Sequence, residues 1–163
     1  MPEAEPAVSL WRSQLDPMAA LGVAAHITVL FPFAPPTSIE EATRDALRAL
    51  FGAITVFDFR LVTTRWFDQN VLWLAPDPAA PFRALTRAVT EAFPACPPYG
   101  GQFADVVPHL TIGDHGPADA MHAAERQLHI ALPISSTARS VALMTELSTG
   151  RWTRAERFPL RLR

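Results

Sequence analysis

The chain has 163 residues, of which 49% are hydrophobic and 18% charged, with a formal net charge of −2; it has the length of about one domain and the composition of a globular core rather than of a disordered chain. The slight acidic balance excludes a broad electrostatic grip on long nucleic acid, which needs many phosphate contacts, and leaves a short or terminal substrate. All 14 basic residues are Arg, which excludes lysine Schiff-base chemistry and a lysine-bearing phosphate loop.

In chain order, Val8 to Trp11 reads as a short strand, followed by a loop or helical turn at Asp16-Pro17. The apolar run Met18 to Ala25 is too short to cross a bilayer, and no basic leader of a signal peptide precedes it. His26 to Phe31 reads as a strand, stopped where Pro32 and the Pro35-Pro36 pair cannot continue a ladder. Thr37 or Ser38 then resembles a helix N-cap followed by the acids Glu40 and Glu41. Ile39, Ala42, Ala46, Leu47 and Leu50 recur at helical spacing, so a helix is predicted over 38–51, closed near Gly52. Alternation over Phe57 to Thr63 predicts a strand, and Val71 to Leu74 predicts another.

A proline-flanked helix is predicted over 80–93. A Pro- and Gly-rich loop at 94–101 then leads into the strand that carries His109. Pro117-Ala118-Asp119 opens a helix to about Leu128, with Pro at an early position where its missing donor costs nothing. Val141 to Leu147 and Trp152 to Leu160 read as an antiparallel pair joined at Ser148-Thr149-Gly150. Alternating helices and strands with frequent hairpin-like turns point to an α+β domain of two similar lobes, not to a doubly wound parallel sheet.

Two copies of one short motif stand out, His26-Ile27-Thr28-Val29 and His109-Leu110-Thr111-Ile112. In an extended segment side chains alternate between faces, so each His and the Thr two residues on share a surface while the aliphatics turn to the core. With one copy in each half of the chain, each is expected to occupy its own half of a duplicated domain. Histidine titrates near neutral pH, so two imidazoles can divide the work of a base and an acid. The threonine hydroxyls can donate to phosphate oxygens whose charge grows in the transition state. The motif itself supplies no carboxylate or thiolate, a poor match to zinc or magnesium shells, so neither a metal nor another cofactor is expected.

The remaining candidates carry less. His115, His122 and His129 recur every seven residues, which suits a solvated helical face better than a metal site, where ligands on a helix sit three or four apart. Tyr99, in Tyr99-Gly100-Gly101-Gln102-Phe103, belongs to a flexible turn before the second motif and offers an aromatic face on which a base could stack. Trp11, Trp66, Trp73 and Trp152 read as core residues. Arg151, Arg154 and Arg157 read as one surface strand. Cys96, alone between prolines, cannot form an internal disulfide and suits a reducing compartment, so a cytoplasmic location is expected.

The two His-x-Thr-hydrophobic motifs, Phe31-Pro32-Phe33 after the first and Pro108 before the second resemble the 2H phosphoesterase superfamily. Trp66-Phe67 and Val71-Leu72-Trp73-Leu74-Ala75-Pro76 resemble its 2′-5′ RNA ligase family. The resemblance covers nearly the whole chain. It implies a single domain over residues 1–163, with two pseudo-symmetric lobes of antiparallel sheet, helices packed outside and a catalytic cleft between them. It also implies metal-independent hydrolysis of 2′,3′-cyclic phosphates on RNA ends or small cyclic nucleotides, with reverse 2′-5′ ligation as a further capacity. His26, Thr28, His109 and Thr111 would be the catalytic residues, His109 as base and His26 as acid, and Tyr99 would bind substrate. The partner is then a small nucleotide or RNA end, with no extended nucleic-acid surface, no membrane and a monomeric protein. Two competing classes are a nucleotide- or RNA-end-binding protein without turnover and a histidine-based metalloenzyme.

Overall fold

In the computed structural model, which describes residues 1–103 and 105–163, residues 8–11 are helical rather than extended. They belong to α1 (Glu5–Leu15). Ala4, Val8, Arg12 and Leu15 are all buried; their spacing is that of a helical stripe, which outweighs the strand propensity of four isolated residues. Pro6 falls in the first turn, where its missing N–H removes no intrahelical bond. Asp16 then caps the short α2 (Pro17–Ala20) by accepting the Met18 amide at 2.9 Å.

The chain divides into two compact units, each assembled from three separate segments. The first unit holds α1, α2 and a four-stranded sheet. Its strands are β1 (Phe57–Phe67), β2 (Val71–Asp77), β3 (Leu110–Asp114) and β4 (Ile134–Ala138), in the order β3-β2-β1-β4. The β1–β2 and β2–β3 pairs are antiparallel, and a bulge between Leu72 and Trp73 sets Trp73 opposite Thr111. The predicted strands at 57–63 and 71–74 are present and longer than expected. Helix α5 (Ala118–Ala131) carries Met121, Ala124 and Leu128 as its buried stripe. Both α1 and α5 close on Gly113 of β3, where an added Cβ would collide with Met121 Sδ and stand 2.9 Å from Leu15 Cβ.

The second unit holds α3 (Glu41–Gly52), α4 (Ala80–Ala92) and the hairpin β5 (Ser140–Glu146) with β6 (Trp152–Pro159). The hairpin turns at the predicted place, with Gly150 in the left-handed region at φ 77°. Helix α3 starts later than expected: Thr37 and Ser38 lie in a separate 3₁₀ turn, and the extended Glu40 takes the N-cap position. Pro36 at the head of that turn sets its backbone, and the Ile39 amide bonds Pro36 O instead of opening the helix. Phe51 of α3 and Phe158 of β6 are both buried, with ring centroids 5.7 Å apart. At the rim, Glu156 takes Arg44 at 3.0 Å and Arg48 at 2.7 Å. Beyond β6, Arg161 forms a parallel bridge with Thr55. Antiparallel pairs and helices in both units make the molecule α+β.

Residues 26–31 are not in a strand, contrary to the expectation. Backbone groups here find partners outside a ladder: the Val29 carbonyl accepts the Thr86 hydroxyl at 2.8 Å and the Phe31 carbonyl accepts the Tyr99 amide at 2.7 Å, while just before the segment the Ala25 amide bonds the Glu5 carboxylate at 2.8 Å.

Candidate active site

Both motifs lie where the chain passes from one unit to the other. Ile27 ends a segment of the first unit and Thr28 begins one of the second; Pro108 ends a segment of the second and His109 begins one of the first. The expected allotment of one motif to each half is therefore corrected. His26, His109 and Thr111 all belong to the first unit, and Thr28 to the second. Sequence halves and structural units differ because each unit is built from non-consecutive segments.

His26 is held by the backbone just before it. Its Nδ1 lies 2.9 Å from Ala24 O; a carbonyl can only accept, so Nδ1 carries the proton. The residue is exposed by surface area, yet surrounding protein displaces enough water around the ring to set its protonation. Desolvation pushes its pKa below the ordinary imidazole value, opposed by the Ala24 hydrogen bond and assisted by the Arg12 guanidinium.

His109 stands immediately before β3 and is half-buried. Its ring meets Phe67 edge-on at 5.0 Å and Trp73 at 5.8 Å, and those two rings stack on each other at 4.7 Å. Phe67 and Trp73 thus restrict the orientation of the imidazole. The Trp73 indole N–H is buried with no acceptor among the described residues, an uncommon state for a buried donor. In β3, Leu110 and Ile112 are fully buried while Thr111 is half-buried, so the predicted alternation holds through the second motif.

Arg12 is a neighbour of the candidate site that sequence reasoning missed. It is buried, and it donates from Nε to Thr111 O at 3.0 Å, from one terminal nitrogen to Val23 O at 3.1 Å, and from the other to Asp16 Oδ2 at 2.6 Å. One guanidinium thereby ties the β3 backbone to the segment leading into His26. The only sequence signal was its place on the Ala4-Val8-Leu15 stripe.

Tyr99 lies in the second unit at φ 50°, followed by Gly100 and Gly101, also left-handed. The turn it was assigned is present, and its amide bonds Phe31 O at 2.7 Å, beside the end of the first motif. Its ring touches Phe103 edge-on at 5.5 Å, and burial pushes the phenol pKa up. Phe31 in turn meets Trp152 at 6.2 Å.

The other histidines are engaged separately. His115 pairs with its neighbour Asp114. His129 Nε2 lies 3.0 Å from the Thr64 hydroxyl, and His122 packs on Trp66 at 5.1 Å. Between them, Glu125 accepts the Trp66 indole N–H at 2.8 Å. Desolvation pushes the Glu125 carboxyl up, but hydrogen bonds from Trp66, His122 and Thr64 outweigh it and hold the pKa below the usual value. Among the described residues no three His, Cys, Asp or Glu side chains converge as a metal site, and no helix is long and apolar enough to cross a membrane. Cys96 is half-buried and free.

Residues 1–150 match the model of the 2′-5′ RNA ligase superfamily. Among solved structures, E. coli LigT complexed with NADP+ is 20% identical, with a TM-score of 0.60 over 99% of this chain and 92% of that one. LigT complexed with 3′-AMP is 19% identical, with a TM-score of 0.61 over 97% and 91%. TT0787 of Thermus thermophilus is 20% identical, with a TM-score of 0.61 over 99% and 93%. At these identities the structural likeness is one of fold. No curated protein matches the sequence.

Proposed function

The chain belongs to the 2′-5′ RNA ligase superfamily of 2H phosphoesterases, and we propose that it hydrolyses 2′,3′-cyclic phosphates of RNA ends or small nucleotides by a metal-independent, two-histidine mechanism. His109 takes a proton from the attacking water. The new P–O bond forms opposite the departing sugar oxygen, the old P–O bond breaks, and His26 protonates that oxygen to leave a phosphomonoester and a free hydroxyl. Thr28 and Thr111 donate to the nonbridging oxygens. Tyr99 stacks on the base.

The observation that carries this reading is the Nδ1 contact of His26 with Ala24 O. It orients the ring with Nδ1 donating to the backbone, and in the charged ring Nε2 carries the second proton, the one given to the leaving oxygen. Desolvation strengthens that acid. A nucleotide substrate also accords with the LigT structures, which hold NADP+ and 3′-AMP in that protein.

The test is turnover of cyclic mononucleotides and cyclic-phosphate-ended oligonucleotides by purified protein in EDTA. Conversion to the phosphomonoester is expected. Nucleotide binding without turnover favours a non-catalytic binding protein, and activity lost in EDTA and restored by one metal favours a metalloenzyme.

A further inference from the structure

The peptide that joins Ala24 to Ala25 is hydrogen-bonded at both ends. Its carbonyl accepts the His26 Nδ1–H at 2.9 Å, and its N–H donates to the Glu5 carboxylate at 2.8 Å. Glu5, one planar amide and the imidazole therefore form a row, with 20 residues of chain between Glu5 and Ala25. Ala25 is only 1% exposed, so little water competes for its amide. Glu5 itself is half-buried in the first turn of α1. The same helix holds the chain one residue before the row, where Arg12 donates to Val23 O at 3.1 Å.

A carboxylate that accepts from an amide N–H makes the carbonyl of that amide a better acceptor, because hydrogen bonds in a chain polarise one another. The strengthened Ala24 carbonyl then favours the ring orientation and the tautomer in which Nδ1 carries the proton. In catalytic triads a third group orients the imidazole by accepting its Nδ1–H directly. Here a peptide stands between the carboxylate and the ring. An acid in the first turn also suits the helix dipole. That role depends on charge alone and needs no contact with the Ala25 amide.

We propose that Glu5 is a positioning residue for His26, orienting the imidazole through the Ala24–Ala25 peptide whose N–H it accepts. This rests on the two-histidine reading above and gives its acid a remote carboxylate support on α1.

The experiment reads the tautomer of the neutral His26 ring from nitrogen-15 spectra, assigned by its absence in H26Q, and measures kcat and KM for adenosine 2′,3′-cyclic phosphate alongside. Wild type should hold Nδ1–H. E5Q keeps an oxygen that accepts the amide and should retain both the tautomer and most of kcat. E5A should move toward Nε2–H and lose roughly ten- to a hundredfold in kcat with KM little changed, the scale of a misplaced reacting group. E5D keeps the charge at the start of the helix but is one methylene too short to reach the amide, so it should follow E5A. As a control, E3A removes the 3.1 Å bond from Ser136 in the same unit and leaves the row intact, so it should match wild type. Nε2–H in wild type, Nδ1–H persisting in E5A and E5D, or an equal loss of kcat in E3A overturns the proposal. A tautomer that shifts while kcat holds supports the role of Glu5 and counts against His26 in the reaction. If wild type turns over no cyclic phosphate, the tautomers alone decide.

Discussion

Arg12 donates through Nε to the backbone carbonyl of Thr111 at 3.0 Å, although 99 residues separate them in sequence. The same guanidinium reaches Val23 O and the Asp16 carboxylate. Its side chain and that of Asp16 are each only 3% exposed, so the pair forms an internal brace between β3 and the approach to His26. Buried pairs of this kind are costly to break because the surviving partner is left charged and dry.

Replacing Arg12 by Ala should therefore lower stability by about 3–5 kcal/mol, read as a shift in the urea midpoint. Arg12→Lys should recover less than half of the loss, because one ammonium cannot reproduce three donors fixed in a plane. Full recovery by Lys would show that charge alone matters.

Gly113 is a packing requirement rather than a turn. A methyl there meets Met121 and Leu15 from two helices at once, so Gly113→Ala should cost about 1–3 kcal/mol by overpacking. Thermal melts of Gly113→Ala and of the double change with Met121→Ala would check this. The second change should relieve the collision with Met121 Sδ and shrink the additional penalty of the alanine.

Tyr99→Ala should raise KM roughly tenfold with kcat little changed, the scale of one lost base stack. Tyr99→Phe, which keeps the ring, should behave like wild type. A fall in kcat alone would place Tyr99 outside substrate binding.

Partial desolvation keeps His26 neutral until the pH drops below the ordinary imidazole value. As the acid it must be protonated, and that form dwindles as pH rises, so the alkaline limb of kcat/KM should lie below about 6.5. Bound phosphate favours the charged ring, so the corresponding limb of kcat should lie at higher pH. The limbs belong to the coupled histidines as a pair. His26→Gln should flatten the alkaline limb; if it flattens the acidic limb instead, the acid and base exchange places.

Legibility in the sequence followed the strength of local patterning. Helices α4 and α5 and the β5–β6 hairpin were readable because periodicity and turn residues agreed with the tertiary structure. Val8 to Trp11 misled as a strand, since four residues show β-propensity more readily than the longer Ala4-to-Leu15 stripe shows a helix. Strand β4 escaped notice because Ile134 to Ala138 is short and largely polar, with Ser136 buried through its bond to Glu3 at 3.1 Å. At the candidate site the His-x-Thr repeat was visible, but the way it is supported was not. Arg12 carried no motif, Phe67 and Trp73 were marked by the family resemblance but not as neighbours of His109, and no pattern along the chain encodes the places where it passes between units.

The most direct measurement is single-turnover hydrolysis of a cyclic-phosphate-ended dinucleotide in EDTA by wild type, His26→Ala and His109→Ala, with melting temperatures taken alongside. Wild type should be fully active without metal, and each variant should lose on the order of 10²- to 10⁴-fold in rate while melting close to wild type. Full turnover by either variant would contradict the two-histidine account.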